Sequence, residues 1–167
     1  MSSFNTDGGL HRIPLEATVG QLWLCGKHYI GPQFEAVQQE RQIHTVVSLV
    51  EEHELVGRYD AFVAWHQKNA GNGALWFPIP DLTYPDFDEA IDFVEDVATR
   101  VRDSGNVLVH CAAGIGRAGT TAVAVCMMLG MNMNEALDHV RLHRPMAGPE
   151  AGSQVLFIEQ LADHLGS

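Results

Sequence analysis

The sequence is short of cysteine, proline and basic residues, and each shortage excludes a class of protein. Its three cysteines, odd in number and without a CxxC spacing, argue against a disulfide scaffold and a zinc knuckle. With 16 glycines, 7 prolines and 46% hydrophobic residues, it is neither collagen-like nor disordered. The 167 residues therefore indicate an ordinary globular chain of about one domain.

Positive charge is scarce too, since ten Lys and Arg face 21 Asp and Glu for a net charge of -11. This balance disfavours nucleic acid and anionic membrane surfaces as partners. The longest weakly polar run, 118–131, is shorter than the roughly 20 residues that span a bilayer, and the first nine residues lack a signal-peptide pattern. We expect a cytoplasmic monomer that binds neither nucleic acid nor membrane.

Apolar strands alternate with helical segments along the chain. The pattern predicts strands at 21–25, 45–50, 75–79 and 106–109, and helices at 34–40, 60–68, 87–102, 118–129, 133–143 and 150–165. Such alternation favours a three-layer α/β fold with a mostly parallel sheet of four to five strands flanked by helices. Residues 1–14 are predicted to be a tail or lead-in, and residues 15–167 one domain.

The turn between strand 106–109 and the following helix has the most distinctive chemistry. A thiol there, Cys111, meets unpaired N–H groups and the positive end of the helix dipole, and both favour the thiolate. Arg117 follows after five residues, so its planar guanidinium can bind two oxygens of a tetrahedral oxyanion. A free cysteine is more often just a small buried residue, but this spacing indicates a nucleophile.

The residues between Cys111 and Arg117 can direct their amides inward as an anion-binding nest, because two of them are glycines that tolerate left-handed backbone angles. The predicted substrate-binding residues are Ala112, Ala113, Gly114, Ile115 and Gly116.

Residues 110–117 match an HCx5R signature, and the sequence resembles cysteine-dependent protein phosphatases, most of all small atypical dual-specificity phosphatases. The resemblance runs from about Leu22 to the last helix, through 46–52, 78–81 and 141–145. It implies a protein tyrosine phosphatase-like catalytic domain over 15–167 that needs no metal or other cofactor. It also implies hydrolysis of phosphotyrosine, and of phosphoserine and phosphothreonine, through a phosphocysteine intermediate, on a phosphorylated protein or a small phosphomonoester.

Cleaving a phosphate ester also requires an acid to protonate the leaving oxygen. Asp81 follows a strand predicted to be parallel to the one that leads to Cys111, so both should emerge at the same sheet edge. In the resembled family this loop supplies the general acid, and Pro80-Asp81 matches it best. Asp86 is the rival, whereas Asp88 suits the first turn of helix 87–102.

The resemblance suggests supporting roles for other residues. His110 would orient the cysteine loop from a buried strand, and Gln154 would position the hydrolytic water, although Gln154 equally fits an ordinary helix-surface amide. Arg144 fits either a structural role or a place at the substrate rim. Cys25 is a possible redox partner of Cys111.

One position departs from the family pattern. Directly after the arginine the family usually has Ser or Thr, whose hydroxyl stabilises the thiolate when the phosphocysteine is hydrolysed, but this chain has Ala118. Two alternatives to an active phosphatase therefore stay open: a catalytically weak, pseudophosphatase-like phosphate-binding module, and an RNA 5'-triphosphatase, which the charge of -11 disfavours. The loop contains no lysine, which argues against polyphosphoinositide substrates.

Overall fold

The computed structural model describes residues 9–150 and 152–166. A five-stranded sheet has the order β1-β2-β5-β3-β4. β1 is antiparallel to β2, and the other pairs are parallel. The strands are β1 (His11–Ile13), β2 (Leu22–Gly26), β3 (Ile43–Ser48), β4 (Ala74–Trp76) and β5 (Asn106–Cys111). The predicted mostly parallel α/β sheet is confirmed.

Helices flank the sheet. They are α1 (Lys27–Ile30), α2 (Phe34–Glu40), α3 (Asp60–Lys68), α4 (Phe87–Asp103), α5 (Arg117–Met128), α6 (Met133–His143) and α7 (Gly152–Leu165), with a 3-10 turn at Glu52–Glu54. α5 packs against α4, α6 and α7, while α2 and α3 contact β3 and β4. The turn between β5 and α5 therefore joins the central strand of the sheet to a helix that contacts three others.

Burial explains why β5 and α5 have largely apolar sequences. Val107, Leu108 and Val109 in the middle strand are fully buried, as expected for a parallel strand covered on both faces. Every residue of α5 from Arg117 to Met127 is buried, whereas α4 is amphipathic and keeps its acidic residues outward. This packing holds both ends of the cysteine turn.

The edge strand differs from the prediction, and the bounds of the four predicted strands shift by up to three residues. His11–Ile13, which we placed in the lead-in, pairs with Leu22–Leu24 as β1, and three residues are too few to show a periodicity. β3 and β4 end before the apolar runs do. Beyond the regular ladder, the Leu49 amide donates a single hydrogen bond to the His110 carbonyl and the Phe77 amide donates one to the Ser48 carbonyl. Residues 1–8 of the predicted tail lie outside the described residues.

The described residues contain no helix long and apolar enough to cross a membrane.

Candidate active site

The cysteine turn is held tightly between β5 and α5. Gly114 has a φ of 75°, a left-handed conformation that glycine adopts without strain. A Cβ at this position would lie 2.5 Å from the Cys25 carbonyl, so the loop packs directly on β2. Cys111 is buried, and the Ala118 amide donates to its Sγ over 3.4 Å. The start of α5 thus points an N–H group at the thiol, as predicted.

The Arg117 guanidinium is fixed by Glu54, a residue that we did not predict. Nη1 and Nη2 donate to the two Glu54 carboxylate oxygens at 2.9 and 3.0 Å, and Nη1 also donates to the Ile79 carbonyl at 2.7 Å. Nε is buried and has no hydrogen-bond partner among the described residues. Since Glu54 occupies the Nη1–Nη2 edge, the Nε–Nη2 edge can still donate to an oxyanion.

This ion pair is buried, with side-chain exposures of 1% for Arg117 and 11% for Glu54. Burial is the largest single effect and opposes charge on both groups, but the hydrogen bonds and the attraction of nearby opposite charges together outweigh it. The pKa of Glu54 is therefore lowered and that of Arg117 is raised. Both groups are charged at neutral pH.

Asp81 lies close to this arginine. Its Oδ1 is 3.5 Å from Arg117 Nη2, and its side chain is 67% exposed. The rival Asp86 precedes α4 and uses its carbonyl to accept the Ala90 amide, and Asp88 lies in the first helical turn as predicted. Within the described residues, the ion pairs of Arg117 are with Glu54 and Asp81, and the role of Asp81 as the acid stays a prediction.

The loop that carries Asp81 is fastened to α5 and α7. The Tyr84 amide donates to Ser153 Oγ at 2.9 Å, and the Tyr84 hydroxyl bonds with Thr121 Oγ1 at 2.7 Å. Gln154 is fully buried, so its interpretation as a surface amide is wrong. It accepts from the Glu150 amide at 2.8 Å and donates to the Thr83 carbonyl at 3.4 Å. Its role in positioning water stays a prediction.

Arg144 supports the cysteine loop from behind. It is 2% exposed, and it donates from Nε to the Gly114 carbonyl at 2.7 Å and from Nη2 to the Ala113 carbonyl at 2.9 Å. Nη1 contacts Gly9 and His11 beside β1. Of the two roles considered, the structural one agrees with this burial and the place at the substrate rim does not.

The residue after the arginine, Ala118, is fully buried. Thr121 Oγ1 donates to the Arg117 carbonyl at 3.0 Å and also contacts Tyr84, while Thr120 Oγ1 is buried without a partner among the described residues. The structure therefore pairs neither threonine hydroxyl with the Cys111 sulfur, which receives a hydrogen bond from the Ala118 amide.

A second polar cluster lies beneath Cys111. Ser48 Oγ is 2.5 Å from His110 Nε2 and 2.6 Å from His66 Nε2, and His110 Nδ1 is 3.1 Å from the Cys111 carbonyl. All three side chains are buried. Burial lowers the pKa of His66 to about 4 and that of His110 to about 3, so both imidazoles are neutral at pH 7.

The lowered pKa of His66 predicts a pH-dependent stability that His66→Gln should reduce. Unfolded His66 takes up its proton near its ordinary pKa of about 6.5, but the folded protein does so only near 4. The unfolded state binds more protons in this window, so stability falls as the pH falls. Between pH 6.5 and 4, the free energy of unfolding of wild type should fall with decreasing pH by up to about 1.4 kcal/mol per pH unit more than that of His66→Gln. Urea unfolding at several pH values measures the difference, and parallel curves would contradict it.

Three potential metal ligands are close together beside the site. Glu51, His53 and Glu54 place ligand atoms within 4.8 Å of one another. Glu54, however, uses both carboxylate oxygens on Arg117, and one of them also accepts the Glu51 amide at 2.9 Å. A cation there would have to compete with the arginine, so the arrangement fits an ion pair better than a metal centre.

Two parts of the site escaped the sequence analysis. Glu54 follows β3 at the same sheet edge as Asp81. The rule that parallel strands end at one edge could therefore have identified it among the acids at 51–54. His66 lies on α3, 45 positions before the cysteine by the numbering, with no motif around it. Its proximity to His110 depends on how α3 packs on the sheet.

The fold and the HCx5R turn are those of the cysteine-dependent phosphatase superfamily, of the protein tyrosine phosphatase type. The sequence profile described as "Dual specificity phosphatase, catalytic domain" matches residues 22–164. The chain belongs to this family, which confirms the resemblance found in the sequence.

Curated relatives match about half of this chain. Dual specificity protein phosphatase 1 of Arabidopsis thaliana is 45% identical over 78 residues, 46% of this chain and 36% of the relative. Dual specificity protein phosphatase 5 of Homo sapiens is 38% identical over 82 residues, 46% of this chain and 21% of the relative. The matched stretch thus covers much less than two thirds of either relative.

Solved structures support the same fold. Tk-PTP in its active form is 30% identical, with a TM-score of 0.70 over 91% of this chain and 96% of that one. Kinase associated phosphatase, with its catalytic site cysteine replaced by serine, is 19% identical and has a TM-score of 0.76 over 98% of both chains. At this identity the second similarity supports the fold alone.

Proposed function

We propose that this protein is a metal-independent phosphomonoesterase that dephosphorylates phosphotyrosine, and also phosphoserine and phosphothreonine, through a phosphocysteine intermediate. Cys111 attacks phosphorus, Arg117 and the loop amides of residues 112–116 hold the equatorial oxygens, and Asp81 protonates the leaving oxygen. The observation that carries the proposal is the buried Arg117, which Glu54 holds on one edge while Nε on the other edge has no hydrogen-bond partner in residues 9–150 and 152–166.

The chemistry proceeds in two steps. The Sγ–P bond forms while the ester P–O bond breaks, and the leaving oxygen takes a proton from Asp81. Water then attacks phosphorus, the S–P bond breaks, and Asp81 takes the proton from the water, so the same carboxyl serves as acid and base. The 3.5 Å separation of Asp81 and Arg117 supports this assignment because leaving oxygen and equatorial oxygens belong to the same phosphate.

Charge around the loop favours a singly phosphorylated substrate. Glu150 Oε1 lies only 2.1 Å from where a Cβ on Gly116 would be, which brings a carboxylate against the anion-binding loop. With a net charge of -11, this arrangement disfavours a polyphosphoinositide or an RNA 5'-triphosphate and suits a phosphorylated protein side chain or a small phosphomonoester. We infer a cytoplasmic, phosphoprotein-directed enzyme.

Ala118 makes breakdown of the phosphocysteine the expected slow step. A hydrogen bond to a charged group contributes about 1.5 to 3 kcal/mol, so lack of the hydroxyl should slow thiolate departure by about 10- to 150-fold. Rapid mixing with p-nitrophenyl phosphate should show a burst near one equivalent of phenol, then a slow phase independent of the leaving group. Ala118→Ser should raise kcat without changing the burst rate, and Cys111→Ser should show neither phase.

The same measurements separate the proposal from its alternative, a weak phosphate-binding module, which Ala118 favours. A burst without later turnover would support the module, whereas sustained turnover supports the enzyme. No burst and an unchanged kcat in Ala118→Ser would make this position neutral and remove the main support for the module.

Vanadate should inhibit competitively and EDTA should have no effect. Activity lost in EDTA and restored by zinc would overturn the metal-independent mechanism.

A further inference from the structure

We propose that His66 and Ser48 are positioning residues for the nucleophile, and that they act by fixing the tautomer of His110 through a chain of hydrogen bonds that ends on the Cys111 carbonyl. The inference rests on the proposed role of Cys111 as nucleophile. It concerns two residues outside the HCx5R signature, on β3 and α3.

The direction of every proton in this chain follows from one fixed acceptor. The Cys111 carbonyl can only accept, so the His110 nitrogen beside it, Nδ1 at 3.1 Å, must carry the proton. A neutral imidazole has one N–H, and His110 Nε2 is therefore an acceptor that takes the Ser48 hydroxyl proton at 2.5 Å. Ser48 Oγ then accepts from His66, whose Nε2 at 2.6 Å must be protonated.

The surroundings keep both rings neutral and in place. Phe62 is fully buried and contacts both imidazoles, with ring centroids 4.9 Å from His66 and 5.5 Å from His110. His66 also packs against Trp76 at 5.2 Å. The charged groups whose fields reach His110 are Arg117 and Glu54, which are opposite in sign and paired. Burial among aromatic rings therefore decides the protonation state.

The consequence lies at the first peptide of the anion-binding loop. A trans peptide holds its C=O and N–H on opposite sides, so a Cys111 carbonyl held by His110 also fixes the direction of the Ala112 amide. The other tautomer would turn a lone pair of Nδ1 toward this carbonyl and release the peptide. Ser48 favours the Nδ1-protonated tautomer of His110 by donating its hydroxyl proton to His110 Nε2. His66 favours that direction because its Nε2–H donates to Ser48 Oγ, which leaves the hydroxyl proton for His110.

Nitrogen-15 NMR of histidine-labelled protein reads the tautomers directly, with His66→Gln identifying the His66 signals. We expect His66 protonated on Nε2 and His110 on Nδ1 from pH 5.5 to 8. His110 found protonated on Nε2, or as an imidazolium, would overturn the proposal.

Two substitutions of His66 test the effect on the nucleophile. His66→Phe keeps an aromatic ring but removes the donor, whereas His66→Gln places an N–H near the position of Nε2. Val63→Ala, on the same helix, is the matched control for lost packing. The measurements are the pH at which iodoacetamide alkylation of Cys111 reaches half its maximum rate, kcat/KM, and the unfolding midpoint in urea.

In His66→Phe, the pH of half-maximal alkylation should be higher than in wild type, and kcat/KM should be about 3- to 10-fold lower. His66→Gln should restore most of both, and Val63→Ala should change neither even where it lowers the unfolding midpoint. Equal alkylation profiles in wild type, His66→Phe and His66→Gln would make His66 a purely structural residue. Alkylation reports on the cysteine and NMR on the histidines, both without turnover, so failure of the proposed activity would be recognised separately by the absence of phosphate release.

Discussion

Arg117→Lys is expected to lower kcat/KM for p-nitrophenyl phosphate by about 10³-fold or more, the range seen when a preorganised cationic donor to a reacting phosphate or oxyanion is removed. Lysine keeps the charge but has no planar pair of edges. In this protein one edge of Arg117 is already used by Glu54, at 2.9 and 3.0 Å. A single ammonium would pair with that carboxylate and could not also hold two phosphate oxygens.

Steady-state kinetics, with vanadate binding as an independent readout, measure this loss. Arg141→Lys, on an exposed part of α6, is the matched control and should behave as wild type. The Arg117→Lys protein should bind vanadate poorly as well as turn over slowly, because both depend on the same donors. A kcat/KM near that of wild type would mean that Arg117 only pairs with Glu54 to fix the start of α5.

The parts of the site that the sequence predicted are those that lie together along the chain. Cys111, the glycine turn and Arg117 occupy one strand–turn–helix unit, so their placement follows from local rules: the strand ends, a glycine turn follows, and the helix begins. The elements β5 and α5 were equally predictable, because a strand and a helix buried on every side need a largely apolar sequence. Asp81 required only one further rule, that parallel strands end at one edge.

The remaining contacts depend on how separate elements pack. Glu54 reaches Arg117 across 63 positions, and Arg144 reaches Gly114 across 30. Ser48 meets His110 because β3 and β5 are neighbours in a register that pairs these two residues, and neither fact is readable from composition. Polar side chains such as His66 become informative only when the structure shows what faces them in the core.

Asp81→Asn is expected to lower kcat/KM, which reports the steps up to release of the leaving group, by about 10²- to 10⁴-fold for substrates with poor leaving groups, and much less for p-nitrophenyl phosphate. An amide keeps the size of the side chain but has no proton to give to the leaving oxygen. Nitrophenolate departs without protonation, whereas the alkoxide of phosphoserine does not. The dependence of kcat/KM on leaving-group pKa should therefore become steeper in the variant, and a series of aryl phosphates measures that slope.

Asp86→Asn is the matched control, since Asp86 follows in the same loop but is not among the ion pairs of Arg117 in residues 9–150 and 152–166. It should retain the wild-type slope. A steeper dependence of kcat/KM on leaving-group pKa in Asp86→Asn, but not in Asp81→Asn, would identify Asp86 at the end of the loop as the general acid. The structure favours Asp81 on two grounds: its carboxylate is within 3.5 Å of Arg117, and the Ile79 carbonyl, two residues earlier, accepts from the same guanidinium at 2.7 Å. Arg117 thus contacts the base of the loop that carries Asp81 and, as proposed, the substrate phosphate, so we expect Asp81 to be the acid nearest the leaving oxygen.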